Sequence, residues 1–420
     1  MTVPDRSYLG TPATAPGPSG PVMLRDSAGI MANPALYLRR MAGRHGDVVQ
    51  FPVPHPTYLV TSWEHTRTVL VSQHRCADKD TPQYHSLAAL TGPGLLAAEQ
   101  DAWMQQRPKV QPAFARTSLA PLAAIAAEES RAWAGEWADR GFVDIGPAAD
   151  RYSLRVLSRF LFGVVDSQRV EDVLAATRAG LEGVLNRVRF APAPANGTDW
   201  RPRLDAAVAR LLDGAGDTPF VACLRGMSDP EEVYSQVRTF LIAGHETVAS
   251  ALIWSLALLG AAPHRQAELL EQSPTASPST ALHNDRWRRT VDESLRLFPP
   301  AWLITRRTRS SMRLGQFLLP AGSLVILSPF VVQRDARLWG RPDHFDPGRP
   351  EWERGQPPGY LPFGSGPRLC IGREFSMSVA TAALSELAHR LSWQLLGTPG
   401  LRAGVVLRPR RRVTLRIRHR

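Results

Sequence analysis

Cysteine is scarce in this chain: its 420 residues include Cys76, Cys223 and Cys370 and no others. Three scattered cysteines are too few for a disulfide framework or for a cysteine-rich zinc site. A lone cysteine is ordinarily a small buried hydrophobic residue in a reducing compartment, and we expect this of Cys76 and Cys223. Cys370 differs, because glycines surround it and an arginine precedes it by two residues.

Lysine is almost absent too, since Lys79 and Lys109 are the only two, and the formal net charge of +12 comes from arginine. A basic chain can bind nucleic acid, an anionic membrane or an acidic protein. The densest basic run, RPRRRVTLRIRHR at the C-terminus, alternates Val413, Leu415 and Ile417 with polar residues, which is typical of a half-buried strand. No aromatic side chain interrupts the run for base stacking. The pattern favours a strand over a nucleic-acid arm, and we expect no nucleic-acid partner.

No hydrophobic run is long enough to cross a membrane. The longest uncharged stretch, Val248–Ala262, is shorter than a bilayer-spanning helix and follows His245 and Glu246, so we predict a core helix. The N-terminal MTVPDRSYLGTPATAPGPSGP lacks the apolar segment of a signal peptide, and its composition predicts an extended, mobile leader over residues 1–32. We therefore expect a soluble, cytoplasmic protein without a membrane partner.

Periodicity predicts a mainly helical chain with a few short strands. The length alone allows two or three domains. Ser228 is the expected N-cap of the longest helix, with Glu231 three residues later. The region 178–228 looks short, and rich in proline and glycine, for a pair of helices. The predicted strands are Val48–Val53 and Thr57–Thr61, and the predicted helices begin near Trp103 or span Leu119–Ala138, Asp150–Phe162, Ser228–Ala262, Asp285–Pro299 and Ile371–Leu391.

The segment 363–372, FGSGPRLCIG, gives Cys370 the surroundings of a metal ligand. A ligating cysteine is a thiolate, and the helix predicted after it would direct N-terminal N–H groups at the sulfur. Nearby glycines without a Cβ let the backbone pass close to something flat, and Arg368 can bind a carboxylate on that group. One thiolate cannot hold zinc alone, but it can be the protein ligand of a haem iron. The glycines are Gly364, Gly366 and Gly372.

This loop resembles the haem-ligand loop of the cytochromes P-450, F-G-x-G-x-R-x-C-x-G, without a gap. Six such positions coincide by chance on the order of once in ten million starts or more rarely. The resemblance continues in the family's order from about residue 33 to the end of the chain. It implies that Cys370 is the iron ligand of a haem b (iron protoporphyrin IX). The other matching residues, implied to bind the cofactor, are Phe363, Gly364, Gly366, Arg368 and Gly372.

The resemblance also implies a fold. In place of several domains it predicts a single cytochrome P-450 domain over residues 33–420, mainly α with a small β-rich lobe. In this fold the haem lies between an oxygen-binding helix and the cysteine loop with its following helix.

A buried ion-pair group is implied by the family's E-x-x-R motif. Glu293 and Arg296 match it, and three residues apart on a helix they share a face. A buried pair needs further partners. The segment FDPGRP supplies Arg349 as the expected third member, although Pro350 stands where the family commonly has an aromatic residue. The group is expected to hold the thiolate face together.

The long predicted helix contains AGHET, which matches the family's oxygen-binding motif. The resemblance implies that Ala243 and Gly244 leave room for dioxygen. Thr247 can donate a hydrogen bond to a carbonyl one turn earlier and loosen the helix. Its hydroxyl is expected to steady oxygen and relay protons, with Glu246 as the link toward solvent. By residue type alone, Glu246 and Thr247 are more ordinarily satisfied polar groups on a core helix.

Haem propionates need cationic partners when they are buried. WMQQR gives Trp103 and Arg107, a W-x-x-x-R pattern where many soluble bacterial members have histidine first, so the chain resembles the tryptophan-bearing subset. In ITRRTR, Arg306 is the expected partner of the other propionate and Arg307 is the alternative. With Arg368, three arginines from separate regions are expected around one ligand.

The resemblance implies a haem-thiolate monooxygenase that hydroxylates or epoxidises a mainly hydrophobic small molecule, using dioxygen, two electrons and two protons. Natural-product biosynthesis is the expected setting. Electrons from NAD(P)H are expected through a separate ferredoxin and ferredoxin reductase, attracted to an arginine-rich face around the Cys370 loop. Two alternatives stay open: oxidative coupling, ring formation or desaturation without net oxygen insertion, and a non-catalytic haem or nucleic-acid binder.

The substrate pocket is expected between the loop before Arg107, the oxygen-binding helix and the segment after Pro300. The candidate residues are mostly apolar, so the expected substrate is hydrophobic and of moderate size, and each residue is equally consistent with plain core packing. The candidates are Tyr84, Leu87, Leu90, Leu95, Leu96, Ile242, Ala243, Trp302, Leu303 and Ile304.

Overall fold

The structure is a computed structural model that describes residues 13–164, 166–188, 200–272, 285–353 and 355–420. Helices make up most of this part of the chain. Their bounds are α1 Gly20–Arg25, α2 Ser27–Ala32, α3 Pro34–His45, α4 Trp63–Arg67, α5 Pro82–Thr91, α6 Gln100–Val110, α7 Leu122–Ala138, α8 Ile145–Phe162, α9 Ser167–Val188, α10 Trp200–Asp213, α11 Pro219–Arg225, α12 Pro230–Ala261, α13 Pro263–Glu271, α14 Asp285–Leu297, α15 Pro329–Val332 and α16 Arg373–Arg390. Single turns of other helix types occur at Thr68–Ser72, His74–Cys76, Gln111–Phe114 and Pro350–Trp352.

The strands are short and form small sheets. In the largest sheet the order is β1-β2-β8-β5-β3, where β2 and β8 run parallel and the other neighbours antiparallel. A second sheet places β12 between β4 and β9, and two hairpins pair β6 with β7 and β10 with β11. The bounds are β1 Val48–Phe51, β2 Thr57–Val60, β3 Ala77–Asp78, β4 Phe142–Asp144, β5 Ile304–Thr308, β6 Met312–Leu314, β7 Phe317–Leu319, β8 Leu324–Leu327, β9 Leu391–Leu396, β10 Arg402–Ala403, β11 Leu407–Arg408 and β12 Thr414–His419.

Helix α12 runs through the middle of the fold and packs against α8, α14 and α16. Its apolar residues surround the helix rather than forming one stripe, as expected for a helix that is buried on most sides. Within the described residues it is the one helix long and apolar enough to cross a membrane, and its most apolar window has a mean hydropathy of 1.4. Because 78% of that window is buried inside the fold, the prediction of a core helix is confirmed.

The hydrophobic residues form a large helical core and smaller clusters around the β lobe. The main cluster joins α7, α8, α12 and α16, and a second cluster lies under the five-stranded sheet around Val60, Val325 and Leu327. The C-terminal strand β12 directs Leu415 and Ile417 into the main core, as the alternation predicts. A mainly helical body with a small β lobe is therefore confirmed.

The N-terminal segment differs from its prediction. Residues 20–32 form α1 and α2, and Ala13 makes a parallel bridge to Phe317 beside the β6–β7 hairpin. The expectation of an extended leader is therefore wrong for residues 20–32, while residues 1–12 lie outside the described residues. Whether residue 33 begins the domain stays a prediction.

One further expectation about the helices needs correction. The N-cap of α12 is Asp229 rather than Ser228, because the Asp229 carboxylate accepts a hydrogen bond of 2.9 Å from the backbone N–H of Glu231.

The sequence left the helix geometry of the region 178–228 open. In the structure α9 and α10 pack against each other, with the Trp200 ring over Gly180 and Gly183. These glycines lie inside a helix, where they allow the close approach of an indole.

Candidate active site

A cavity lies between α12 and the loop that precedes α16, and it gathers residues from distant parts of the sequence. Most of the predicted site residues line this cavity, although they come from motifs that are far apart in the sequence. Those at the wall are Trp103, Arg107, Ala243, Gly244, Thr247, Arg306, Phe363, Gly364, Arg368, Cys370 and Gly372. Gly366 and Glu246 do not line the cavity.

The loop that holds Cys370 is closed by its own backbone. The N–H of Cys370 donates to the carbonyl of Phe363 at 3.0 Å. Gly364 and Gly366 adopt φ of +73° and +74°, the left-handed region that favours glycine. A Cβ on Gly366 would lie 2.1 Å from the carbonyl oxygen of Leu70, whereas nothing lies within 4 Å of the corresponding position on Gly364. Gly366 therefore permits contact with a neighbouring turn, not with a flat ligand as expected, and Gly364 leaves open space.

Cys370 lines the cavity and is exposed to it. Burial raises the pKa of this thiol, while the N–H of Gly372 and the nearby charges of Arg107 and Arg373 act in the opposite direction. Gly372 is the N-cap of α16, so the positive end of that helix faces the sulfur. These cationic and backbone groups favour the thiolate form of the sulfur. The side of the sulfur that faces the cavity is free to bind a metal.

Four cationic side chains line the cavity, and no carboxylate is among its described lining residues. Burial, with Arg306 and Arg368 next to it, holds the pKa of Lys79 well below its usual range. Burial and the charge of Arg306 lower the pKa of Arg368 to about 10. Asp78 lies 3.5 Å from Arg368 Nη2 and compensates part of this charge, and the excess of cations over carboxylates in a buried wall indicates an anionic occupant. The fourth cation is Arg107.

Lys79 is a cavity residue that the sequence analysis missed. Its Nζ donates to the carbonyl of Leu96 at 2.7 Å and lies 4.6 Å from the centre of the Tyr84 ring. No motif marks this lysine, and the only sequence signal is its isolation in a chain whose other positive charges are almost all arginine.

The structure distinguishes Arg306 from Arg307. Arg306 lies at the cavity wall, within a strand whose successive side chains point to opposite faces. Arg307 points the other way, and its guanidinium donates to the carbonyls of Asp80 at 2.7 Å and Gly322 at 3.0 Å. The geometry therefore favours the first choice over the alternative.

These features together fit a haem. The cavity offers one accessible thiol, four cations for two carboxylates, and a glycine that leaves space beside the thiol loop. The four cations form what we call the cationic edge of the cavity. Trp103 packs against it, because the guanidinium of Arg368 lies 5.1 Å from the centre of its ring. A flat ligand with two carboxylates and a thiolate-binding metal matches this donor set.

The opposite wall is formed by α12. Thr247 Oγ1 donates a hydrogen bond of 2.7 Å to the carbonyl of Ala243, which confirms the predicted bond one turn back. The helix nevertheless continues without interruption through this turn. A Cβ on Gly244 would lie 3.0 Å from the methyl carbons of Leu157 on α8, so this glycine also lets the two helices pack closely.

Glu246 lies in a buried charge network away from the cavity wall. Its Oε2 accepts a hydrogen bond of 2.6 Å from Arg408 Nη2, which also donates to Asp150 at 2.7 Å. Asp150 in turn accepts a hydrogen bond of 2.9 Å from Arg178, whose side chain is nearly half exposed. His245 Nε2 lies 3.6 Å from Glu246 Oε1. The expectation that Glu246 links the cavity to solvent stays a prediction: Glu246 lies behind the wall, and its network extends to the half-exposed Arg178.

Glu293, Arg296 and Arg349 form the buried group that the sequence predicts. Arg296 donates to both carboxylate oxygens of Glu293 at 2.8 and 2.9 Å, and Arg349 donates to Glu293 at 2.7 Å. The remaining guanidinium protons bond the carbonyls of Gln333 and His344, among others. All three side chains are satisfied, as a buried ionic group requires. Whether they hold the thiolate face together stays a prediction.

The predicted pocket residues divide into two sets. At the cavity wall are Tyr84, Leu95, Leu96, Ala243 and Ile304. The others have partners elsewhere: Leu90 contacts α9 at Gly180, and Trp302 Nε1 donates 2.8 Å to the carbonyl of Gly404 in the β lobe. Not at the wall are Leu87, Leu90, Ile242, Trp302 and Leu303.

Three residues of α12 at the wall were not predicted: Thr239, Phe240 and Ala251. Phe240 stacks on Phe114 with ring centres 5.1 Å apart, and Thr239 lies beside it. A signal for all three was available, because residues 239, 240, 243, 247 and 251 share one face of a helix with 3.6 residues per turn.

Comparison with known proteins gives one family. The cytochrome P-450 family model matches residues 220–408. The chain is 34% identical over 431 residues to cyclooctatin synthase from Streptomyces melanosporofaciens, covering 94% of this chain and 92% of the relative. It is 30% identical to cyclooctat-9-en-7-ol 5-monooxygenase of the same organism, covering 94% and 92%, and 29% identical to pentalenene oxygenase of Streptomyces avermitilis, covering 92% of each.

Solved structures agree with this assignment. A cytochrome P-450 from Thermus thermophilus superposes with a TM-score of 0.81 at 31% identity, over 96% of this chain and 100% of the other. A six-coordinated cytochrome P-450 of the same species superposes with a TM-score of 0.79 at 31% identity, over 92% of this chain and 98% of the other. The fold, the thiol-lined cavity and these relatives lead to one conclusion: the chain belongs to the cytochrome P-450 family of monooxygenases, whose cofactor is a thiolate-ligated haem.

Proposed function

We propose that this enzyme inserts one oxygen atom of dioxygen into a cyclic terpenoid, with Cys370 as the thiolate ligand of its haem. The observation that supports this most is the arrangement of the cavity, with an accessible thiol on one wall and Thr247 on the other. Of the three cysteines, Cys370 alone lies at that cavity. When bound, the haem supplies the reductive activation of dioxygen.

The cationic edge is assigned to the propionates. Arg107, Arg306 and Arg368 bind them as charge-assisted donors, with Trp103 packed against Arg368. We add Lys79 to this set, because its ammonium otherwise lies buried between two guanidiniums with one carbonyl as its acceptor. An anion bound here adds to the partial compensation that the Asp78 carboxylate gives Arg368 and Lys79.

Protons are assigned to α12. The net reaction is R–H + O₂ + 2 e⁻ + 2 H⁺ → R–OH + H₂O, so two protons must enter the cavity. Thr247 holds a proton at Oγ1, and turning away from the Ala243 carbonyl directs it into the cavity. We assign Glu246 the link to solvent, acting from within its network with Arg408 and Asp150 and not from the wall.

The substrate class follows from the wall and from the relatives. The wall on the α12 side is apolar apart from threonine hydroxyls, which suits a hydrocarbon framework. The similar proteins from Streptomyces are named for cyclooctatin, cyclooctat-9-en-7-ol and pentalenene, all terpenoids. We therefore assign this enzyme a role in terpenoid natural-product biosynthesis, with hydroxylation as the reaction.

Electrons are proposed to come from NAD(P)H through a separate ferredoxin and its reductase in the cytoplasm. Arg373 follows Cys370 by three residues and its side chain is partly exposed, and the chain carries a formal net charge of +12. An excess of positive charge attracts an acidic partner and makes electron transfer fall as salt rises.

The test is a reconstituted assay under isotopically labelled dioxygen. Enzyme, a bacterial ferredoxin, its reductase and NADPH are incubated with abietadiene or abietadienol, two cyclic diterpenoids, and the products are analysed by mass spectrometry. One labelled oxygen atom per product molecule is expected. A product that lacks the label would instead support coupling or desaturation, and a haem-loaded enzyme that neither binds nor oxidises cyclic terpenoids would contradict the substrate class.

A further inference from the structure

One buried hydroxyl at the cavity wall has no hydrogen-bond partner. Thr239 is 4% exposed, and its Oγ1 is without a partner in the described part of the protein. Several other buried polar atoms share this condition, but Thr239 is the one such residue that lines the cavity. An unsatisfied buried hydroxyl is costly, by roughly 1–3 kcal/mol. A ligand group that bonds it removes this cost.

The Thr239 hydroxyl faces the loop before α6, where an added Cβ on Gly94 would lie 2.3 Å from Thr239 Oγ1 and 2.6 Å from the Ser235 carbonyl oxygen. Neither that carbonyl nor the loop forms a hydrogen bond with it. Gly94 has no side chain that could supply one. The loop is fixed on α12 by Gln236, whose Oε1 accepts a hydrogen bond of 3.3 Å from the N–H of Leu95. Threonine in a helix has two favourable χ1 rotamers, so its hydroxyl and methyl can exchange places between this loop and the cavity.

Thr239 differs in this from Thr247, the other hydroxyl that α12 places at the wall. Thr247 already donates to Ala243, whereas Thr239 does not make the equivalent bond to residue 235. The remaining α12 residues at the wall are apolar: Phe240, Ala243, Gly244 and Ala251. The two threonines are eight residues apart, or about 12 Å along the helix axis, and lie on one face.

We infer that Thr239 hydrogen-bonds a hydroxyl group that the substrate already has, so that the enzyme acts on a terpenoid alcohol in preference to the bare hydrocarbon. This rests on the proposed function, since it assumes a terpenoid in the cavity. A hydroxyl suits either rotamer of Thr239, because it can donate as well as accept. The spacing from Thr247 places this hydroxyl at the end of the substrate opposite the carbon that is oxidised.

The test compares one hydrocarbon with its own alcohol. Ferric holoenzyme is titrated with the tricyclic diterpene abietadiene and with abietadienol, which has a hydroxyl at one end of the same ring system, and the spin-state shift of the haem spectrum gives each Kd. Wild type is expected to bind the alcohol about 5- to 10-fold more tightly, the effect of one hydrogen bond. Thr239→Val removes the hydroxyl at constant shape and is expected to abolish this preference without weakening the hydrocarbon. Thr239→Ser is expected to keep the preference.

Ser255→Ala is the matched control. Ser255 is another buried hydroxyl of α12 without a partner, but it does not line the cavity, so its removal should leave both Kd values unchanged. Equal binding of the two probes by wild type, or an alcohol preference that survives in Thr239→Val, would overturn the inference and leave the proposed function intact. If neither probe binds, the inference and the terpenoid class both fail, while the carbon monoxide spectrum still reports separately on the haem thiolate.

Discussion

Arg408 Nη2 donates a hydrogen bond of 2.6 Å to Oε2 of Glu246, and this bond joins α12 to β11 in the C-terminal part of the chain. The same nitrogen bonds Asp150 on α8. One guanidinium thus compensates two carboxylates in a nearly buried site, where removing one partner of an ionic group leaves the others uncompensated.

The stability of this network can be measured directly. Arg408→Met is expected to lower the free energy of unfolding by about 3–5 kcal/mol, because Glu246 and Asp150 would stay buried without their shared cation. Urea titration of the haem-loaded protein, followed by the haem spectrum and by circular dichroism, gives the value. The matched control is Arg412→Met: Arg412 is 83% exposed and pairs with Asp144, so its loss should cost less than about 1 kcal/mol. Equal costs for the two variants would contradict the assignment of a buried network.

The pH dependence of stability should report on Asp150. Burial opposes ionisation of Asp150, but the bonds from Arg408 and Arg178 outweigh it and hold its pKa below the usual value. A carboxyl whose pKa is lower in the folded than in the unfolded state stabilises the fold above the unfolded pKa, about 3.9, and this contribution disappears as pH falls through the folded value. The difference in unfolding free energy between wild type and Asp150→Asn should therefore be constant from neutral pH to about pH 5 and shrink below about pH 4. A difference that grows on acidification would show that the sign is wrong.

Thr247 should control the use of electrons rather than the binding of haem. Thr247→Ala removes the hydroxyl at the cavity wall, and haem content and substrate Kd are expected to stay near those of wild type. The amount of product formed per NADPH consumed should fall about tenfold or more, and hydrogen peroxide should form instead. The reason is that Thr247 no longer delivers protons to the oxygen that is being reduced. Thr290→Ala is the control, since Thr290 makes the same backbone bond, to Arg286 at 2.9 Å, but does not line the cavity. Unchanged coupling in Thr247→Ala would remove Thr247 from the proton path.

Two adjacent arginines offer an internal comparison for the propionate site. Arg306 lines the cavity and Arg307 does not, so Arg306→Gln should speed haem transfer to apomyoglobin about tenfold, as expected for one charge-assisted hydrogen bond. Arg307→Gln should leave the transfer rate within about twofold of the wild-type rate, because the hydrogen bonds of Arg307 go to the carbonyls of Asp80 and Gly322 and not to the cavity. A faster transfer in Arg307→Gln than in Arg306→Gln would reverse the assignment.

Sequence predicted most where chemistry imposes a spacing along the chain. Local relationships of this kind are the pair Glu293 and Arg296 and the bond from Thr247 to Ala243, and the structure has both. Gly364, Arg368 and Gly372 also lie at the cavity as predicted, whereas Gly366 does not. The central helices end within a few residues of their predicted bounds. The pattern of apolar residues fixes a helix and its length, because both depend on neighbours in the sequence.

The failures concern which face of an element meets which neighbour. Ile242 is adjacent to Ala243, but a step of 100° around α12 places it in the core and not at the cavity. Glu246 pairs with Arg408, which is 162 residues away and which no local pattern indicates. Lys79 joins the cationic edge only through the five-stranded sheet, which brings β3 beside β5. Long-range packing decides such positions, and a single sequence has no periodic signal for it.

The central claim is that Cys370 ligates the haem, and one spectrum tests it. The ferrous carbon monoxide spectra of wild type, Cys370→Ser, Cys76→Ser and Cys223→Ser would be recorded side by side. The long-wavelength Soret band of a thiolate-bound complex should be present in wild type and in the Cys76 and Cys223 variants, and absent in Cys370→Ser. Retention of that band in Cys370→Ser, or its loss in either of the other two, would contradict the account.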